Sequence, residues 1–313
     1  MTASPTVVVN RGAHGDLLAQ ALRSAAPSET FVVCGAGDVV PDAAQVLVTL
    51  LEDPDSVKSL LAPSIEWVHV LGTGVDGFPF QSLGGRTLTC SRGAASVAIS
   101  EWVLAVMLAF EKQIPGSWIS EPPARWNVAS LGGLSGQTLG LVGIGAIGAA
   151  VARRAVAFDM TVLANRRRTA PSPVPEAELV KDLDELMSRS DHLVVAAPST
   201  PASYHLIGKQ ALAAAKPGLH LINVARGTLI DQEELRLALD DGRVARASLD
   251  TVDPEPLPPG HWLYNHEKVK LSAHISWSGP RTMSRTLEIF IDDLARFRRG
   301  ERLEGVVDPE AGY

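Results

Sequence analysis

The sequence predicts an α/β protein, a doubly wound parallel sheet with a second, smaller α/β domain, and three observations carry that expectation. Short apolar runs such as Val7-Val-Val9, Gln45-Val-Leu-Val-Thr49 and His192-Leu-Val-Val-Ala-Ala197 alternate with stretches of helical spacing along most of the chain. One run, Thr138-Leu-Gly-Leu-Val142, passes directly into Gly143-Ile-Gly-Ala-Ile-Gly148 and on into Ala149-Ala-Val-Ala152. A further run, Met160-Thr-Val-Leu-Ala164, lies where a strand–helix–strand unit needs its second strand.

In order, Val7–Val9 reads as a buried strand and 16–25 as a helix. Residues 31–34, 45–49 and 65–70 are further strands, the last ending in Leu71-Gly-Thr-Gly-Val-Asp-Gly77. The first ~95 residues therefore read as a small α/β domain. Residues 96–110 carry an apolar stripe at helical spacing: Val97, Ile99, Val103, Leu104, Met107 and Leu108. Residues 114–134, rich in Pro, Gly and Trp, read as an irregular arm whose Trp118 and Trp126 need burial, a second subunit being one place for it. From residue 182 helices (183–188, 209–215, 232–240) alternate with strands (192–197, 219–225, 245–250, 269–272), and a helix over 281–298 closes the chain.

The glycines of 143–148 each suit one task. Gly143 makes a tight turn, Gly145 lets backbone approach a pyrophosphate, and Gly148 permits close helix–strand packing. Phosphates then sit at the helix N-terminus, where unpaired N–H groups and the dipole favour negative charge. The stretch reads as a Rossmann dinucleotide site, a merely structural glycine turn being the alternative. At the end of the second strand an NAD site usually places Asp or Glu; here stand Asn165, Arg166, Arg167 and Arg168. The missing carboxylate removes repulsion of a 2′-phosphate and a guanidinium can pair with it, although part of the basic run is ordinary solvated surface. NADPH is favoured, with NAD the alternative.

Bulk properties bound the rest. A chain of 313 residues is long enough for two domains. A net charge of −7 argues against a nucleic-acid partner. Two cysteines, Cys34 and Cys90, form neither a disulfide framework nor a metal-ligand spacing, and fit a reducing, cytoplasmic compartment. The opening Met1-Thr-Ala-Ser-Pro-Thr6 lacks the pattern of a signal peptide, and the longest apolar run, near 139–152, is too short and glycine-rich to span a bilayer.

Three side chains follow strand ends and suit one reaction. Arg226 lies in Asn223-Val-Ala-Arg-Gly227, Glu255 in a proline-rich loop, and His274 in Leu271-Ser-Ala-His-Ile275. Reducing a 2-oxo acid needs a cation for the carboxylate and carbonyl, an acid to protonate the oxygen, and a group orienting that acid. Arginine, histidine and glutamate fill these roles in order. Singly, each is more often a surface or structural residue; together, at the carboxyl edge of one sheet, they point to a site. His261 and His266 read as surface residues, His69 as packed within its strand, and Asp76 as turn chemistry.

These stretches, with Leu71–Asp76, Ala98–Leu104, Gly140–Gly148, Lys216–Gly218, Leu221–Gly227, Asp250–Pro258 and Ala273–Ile275, resemble the D-isomer-specific 2-hydroxyacid dehydrogenase family over almost the whole chain. The resemblance implies that Arg226 binds substrate, that His274 is the acid–base with Glu255 its partner, and that N–H groups of Gly74 and Val75 grip the carboxylate. It places Asp250 on the nicotinamide side, Ala146 and Ile147 at the pyrophosphate, and Pro198, Val224 and Ala225 among the cofactor contacts. It implies a flavodoxin-like substrate domain of residues 1–97 and 279–313, a cofactor domain of 98–278, and a homodimer. Glyoxylate and hydroxypyruvate are the leading substrates, and the side chain of a bulkier 2-oxo acid would meet Leu51, Val75, Trp126 and Trp277. Asn165 departs from the family's frequent Asp, Thr251 from Val, and Ser272-Ala273 from Thr-Pro. Glu255 argues against the formate dehydrogenase branch, which has Gln there. A dinucleotide-sensing interaction protein on the same fold, like certain transcriptional corepressors, is the competing reading; the intact triad speaks against it.

Overall fold

The computed structural model describes residues 6–51, 53–167 and 170–313. Arg168 and most of the opening hexapeptide read above lie outside the described residues. The chain forms two compact units, one of residues 1–95 with 279–313 and one of residues 96–278.

In the first unit β1 (Thr6–Asn10), β2 (Thr30–Cys34), β3 (Ala44–Thr49), β4 (Trp67–Val70) and β5 (Thr87–Cys90) pair in parallel in the order β2-β1-β3-β4-β5, the flavodoxin order. Helices α1 (Gly15–Ala25) and α2 (Pro54–Ser59) lie between strands. Strand periodicity builds two cores. Val7 and Val9 join Leu18, Leu22, Val46 and Val48 on one face; Val8 joins Leu47, Val68 and Leu88 on the other. The sequence reading missed β5 and α2. The first is four residues with two threonines, and the second is six residues started by an Asp53 cap, too short for a periodicity to register.

One buried polar chain crosses this unit. The Trp67 indole N–H donates to Thr89 Oγ1 (2.8 Å), His69 lies 2.7 Å from that oxygen through Nδ1 and 3.0 Å from Ser91 Oγ through Nε2, and Ser91 donates to the Thr286 carbonyl. Because Ser91 has given its one proton, His69 donates from Nε2 and accepts from Thr89 at Nδ1. Burial holds the ring's pKa down at about 3, so it is neutral and Nδ1 is the acceptor.

The second unit opens with α3 (Ser96–Glu111) and continues β6 (Thr138–Val142), α4 (Ala146–Val156), β7 (Thr161–Asn165), β8 (Ala177–Leu179), α5 (Leu183–Arg189), β9 (His192–Val195), α6 (Lys209–Ala213), β10 (Leu219–Asn223), α7 (Gln232–Asp240), β11 (Val244–Leu249) and β12 (Val269–Leu271). Its seven parallel strands run β12-β11-β10-β9-β6-β7-β8. The order reverses between β6 and β9, the switch point outside which ligands bind in such sheets. The edge strand β8, three residues long with one glutamate, is another element the sequence reading missed.

Under α3, His192 and His220 face each other across β9 and β10, Nδ1 to Nδ1 at 3.0 Å, and His220 Nε2 reaches Ser248 Oγ at 2.9 Å. The Phe110 ring covers His220 at 4.7 Å. The chain then returns to the first unit with α8 (Thr282–Arg298), where Phe290 and Phe297 pack on Trp67 at 5.4 and 5.5 Å. Among the described residues no helix is long and apolar enough to cross a membrane.

Candidate active site

The glycine turn is built as its chemistry demands. Gly143 has φ +94°, and a Cβ there would lie 2.9 Å from the Ala196 carbonyl oxygen. At Gly148 a Cβ would come 2.3 Å from the Gly143 carbonyl oxygen, so α4 closes on the turn at the end of β6. At Gly145 a Cβ would meet nothing within 4 Å. That position faces open space, beside the exposed Ala146 and half-buried Ile147, and the first turn of α4 carries no acidic residue. A pyrophosphate fits there, against unpaired helical N–H groups.

At the end of β7, Gly143 N–H donates to the Asn165 carbonyl, and the Asn165 side-chain amide faces the Val180 and Lys181 carbonyls at 3.4 Å each. Arg166 donates to the Pro171 carbonyl, and Arg167 is exposed. No carboxylate stands at residues 165–167. Pro198, just past β9, is exposed. Val224 and Ala225 are 5% and 8% exposed.

Arg226, Glu255 and His274 follow three neighbouring strands, β10, β11 and β12. Asn223, fully buried, shapes the first turn: its amide donates to the Arg226 carbonyl (2.9 Å) and its oxygen accepts Ala225 N–H (3.0 Å). Glu255 is fixed by Val252 N–H at Oε1 (3.0 Å) and reaches His274 Nδ1 with Oε2 at 2.9 Å. A carboxylate only accepts, so Nδ1 carries the proton and Nε2 is left for a substrate. The His274 and Glu255 side chains are 40% and 37% exposed, within reach of a ligand.

The resemblance sends Asp250 to the nicotinamide side, and the structure shows what holds its carboxylate. It is 1% exposed, and its carboxylate accepts Ser272 Oγ–H and Ile275 N–H at Oδ1 and Ser276 N–H at Oδ2. It is turned into the loop that carries His274, because a buried carboxylate must collect donors. Gly74 and Val75 lie in the first unit, in the loop after β4, and Val75 is 4% exposed.

A sequence model of the family described as D-isomer specific 2-hydroxyacid dehydrogenase, NAD binding domain, matches residues 104–276. The chain belongs to this family of oxidoreductases. A glyoxylate reductase of Thermofilum pendens is 32% identical over 296 residues, covering 86% of each chain. A D-isomer specific 2-hydroxyacid dehydrogenase of Xanthobacter autotrophicus, solved with NADPH and MES, superposes with a TM-score of 0.86 at 26% identity, covering 99% of this chain and 100% of its own. The apo D-mandelate dehydrogenase of Rhodotorula graminis superposes at 0.77 with 26% identity, covering 97% and 98%.

Three positions in this dehydrogenase escaped the sequence reading. Asn223 was quoted within a motif but given no task. Gly227 is where a Cβ would strike Val252 at 1.9 Å, binding the Arg226 turn to the Glu255 loop. Ser272 was noted only as a departure. The first two carried a signal, an Asn and a Gly flanking a candidate arginine after a strand; the third carried none.

Proposed function

We propose that this dehydrogenase reduces small 2-oxo acids, glyoxylate and hydroxypyruvate first among them, to D-2-hydroxy acids with NADPH. The observation that carries the reading is the 2.9 Å His274–Glu255 couple at the carboxyl edge of the sheet that bears the glycine turn. The second unit is the cofactor domain and the first the substrate domain.

The bound nicotinamide supplies the hydride for the carbonyl carbon. Arg226 pairs with the substrate carboxylate and draws electron density from the carbonyl. Backbone N–H groups of Gly74 and Val75 take the rest of the carboxylate. As charge grows on the carbonyl oxygen, His274 delivers a proton from Nε2, so one hydride and one proton convert the 2-oxo acid to the 2-hydroxy acid. Glu255 holds the ring through Nδ1 and balances the imidazolium charge. Arg166 and Arg167 pair with the 2′-phosphate, a reading supported by the absence of a carboxylate at 165–167 and by the NADPH of the Xanthobacter relative.

The glyoxylate reductase relative supports the substrate class. Trp118 and Trp126, each 71% exposed, support a homodimer that covers the arm, and two free, buried cysteines fit a cytoplasmic enzyme. The deciding experiment is a set of initial rates for glyoxylate, hydroxypyruvate, pyruvate and phenylpyruvate with NADPH and with NADH. Highest kcat/KM for glyoxylate or hydroxypyruvate with NADPH is expected. Fastest turnover of phenylpyruvate would move the substrate to the bulky class, and cofactor binding without any turnover would overturn the reading.

A further inference from the structure

His274 sits in an unusual backbone conformation. Its φ is +54°, in the left-handed region that residues bearing a Cβ avoid. A non-glycine residue stays there only when its surroundings over-determine it. Glu255 holds the ring at Nδ1 and the Leu249 carbonyl accepts Ser272 N–H at 3.0 Å, but most ties on the histidine loop run to Asp250. The Asp250 backbone carbonyl accepts His274 N–H at 2.9 Å. Its carboxylate accepts Ile275 N–H at Oδ1 and Ser276 N–H at Oδ2, both at 2.9 Å. On the other side of the histidine, the Ser272 hydroxyl donates to Oδ1 at 2.5 Å.

We propose that Ser272 is a positioning residue for His274, acting through Asp250. This rests on the acid–base assignment above. Ser272 precedes the histidine by two residues and Ser276 follows it by two, so one carboxylate ties both ends of a five-residue loop whose centre is the imidazole. The two backbone donors hold the C-terminal half alone. Ser272 supplies the only side-chain donor to Asp250 among the described residues, and the only tie between that carboxylate and the N-terminal half. Its hydroxyl hydrogen-bonds to Asp250 rather than to Glu255 or the imidazole, so its effect is on where the ring stands. Without the hydroxyl, Oδ1 of a carboxylate 1% exposed is left with one donor, and the loop gains freedom to leave the strained conformation. The ring then swings away from Glu255 Oε2, and Nε2 leaves the line of proton delivery.

The test compares Ser272→Ala and Ser272→Thr with the parent enzyme. Under saturating NADPH, S272A is expected to lose between about 10- and 100-fold in kcat with little change in the KM of the 2-oxo acid, since a small misplacement of a catalytic group acts on the chemical step. S272T keeps the hydroxyl and should restore most of the rate. In the protein without substrate, labelled at histidine nitrogens, the His274 Nδ1–H resonance should broaden or vanish in S272A and return in S272T. Parental kcat and an unchanged His274 resonance in S272A would overturn the proposal. So would a lower melting temperature with kcat per folded molecule unchanged, which is what a merely structural serine gives. If the parent enzyme turns over no 2-oxo acid, the proposed reaction fails, while the resonance of His274 still decides whether Ser272 holds the ring.

Discussion

A methyl group on Gly227 would lie 1.9 Å from the carbonyl carbon of Val252. That contact joins the turn carrying Arg226 to the loop carrying Glu255, and Asn223 reinforces it by facing the Thr251 carbonyl at 3.4 Å. Backbone is on both sides, so no rotamer relieves the clash. Gly227→Ala should destabilise the second unit by about 3 kcal/mol, as overpacking against fixed backbone does, and should depress kcat/KM in whatever protein stays folded. Urea unfolding with parallel kinetics checks it; parental stability would show that the two loops separate at little cost.

Each member of the triad should fail in its own way. His274→Ala removes the proton donor and should lower kcat by about 1,000-fold, within the usual range for a general acid, while NADPH binding stays intact. Arg226→Ala should raise the KM of the 2-oxo acid and lower kcat together, because in the proposed reaction the guanidinium binds the carboxylate and polarises the carbonyl. Glu255→Gln keeps the side-chain shape but weakens its hold on Nδ1–H, and should fall between the two in kcat. Steady-state kinetics with cofactor titration by fluorescence separates these outcomes. An active H274A enzyme would remove the assigned acid.

The sheets and the glycine turn were legible because they rest on local periodicity and on glycines whose task is steric. What stayed hidden depends on pairing register or on which way a side chain turns. His192 sits in His-Leu-Val-Val and His220 in Leu-His-Leu-Ile, and nothing local distinguishes either from an odd polar residue in a strand. They meet only because β9 and β10 pair with those two residues opposite. Likewise Asp250 reads as a carboxylate at a strand end, where the resemblance sends it to the cofactor. Only the fold reveals three donors around it and a histidine loop in need of an anchor. The order Arg226, Glu255, His274 was visible, whereas the Gly227–Val252 contact joining the first two was not.

The proposed preference for NADPH rests on the end of β7. Arg166 already gives one N–H to Pro171, which orders its side chain without neutralising it, and Arg167 is exposed. A phosphate added to that corner gains charge-assisted bonds, whereas the plain ribose of NADH gains none. Replacing both arginines with Ala should raise the Kd for NADPH by roughly 10- to 100-fold, the effect of losing one or two such bonds, and leave that for NADH unchanged. Equal weakening of both cofactors would place the 2′-phosphate elsewhere.

Three histidines make stability depend on pH in a defined window. Burial holds His69 at about 3 and His192 at about 4, and pushes His220 well below the ordinary 6.5. Glu111 Oε1 lies 3.3 Å from His192 Nε2 but without hydrogen-bond geometry, and the attraction of the Asp191 charge, which raises the His192 pKa, does not offset the loss of water. Above pH 6.5 these rings are neutral in both folded and unfolded chains and stability is flat with respect to them. As pH falls below 6.5, the unfolded chain takes up protons that the folded chain refuses. Each histidine then lowers the unfolding free energy by about 1.4 kcal/mol per pH unit, until its folded pKa is reached. The loss continues to about pH 4 for His192 and about pH 3 for His69. Asn in place of His192 or His69 should flatten the slope by that amount over pH 6 to 4.5, measured by denaturant unfolding at each pH, with the parent protein losing stability throughout that interval. A parent whose unfolding free energy is constant from pH 6 to 4.5 would mean that the rings take up protons in the folded state, against the burial that keeps His69 neutral.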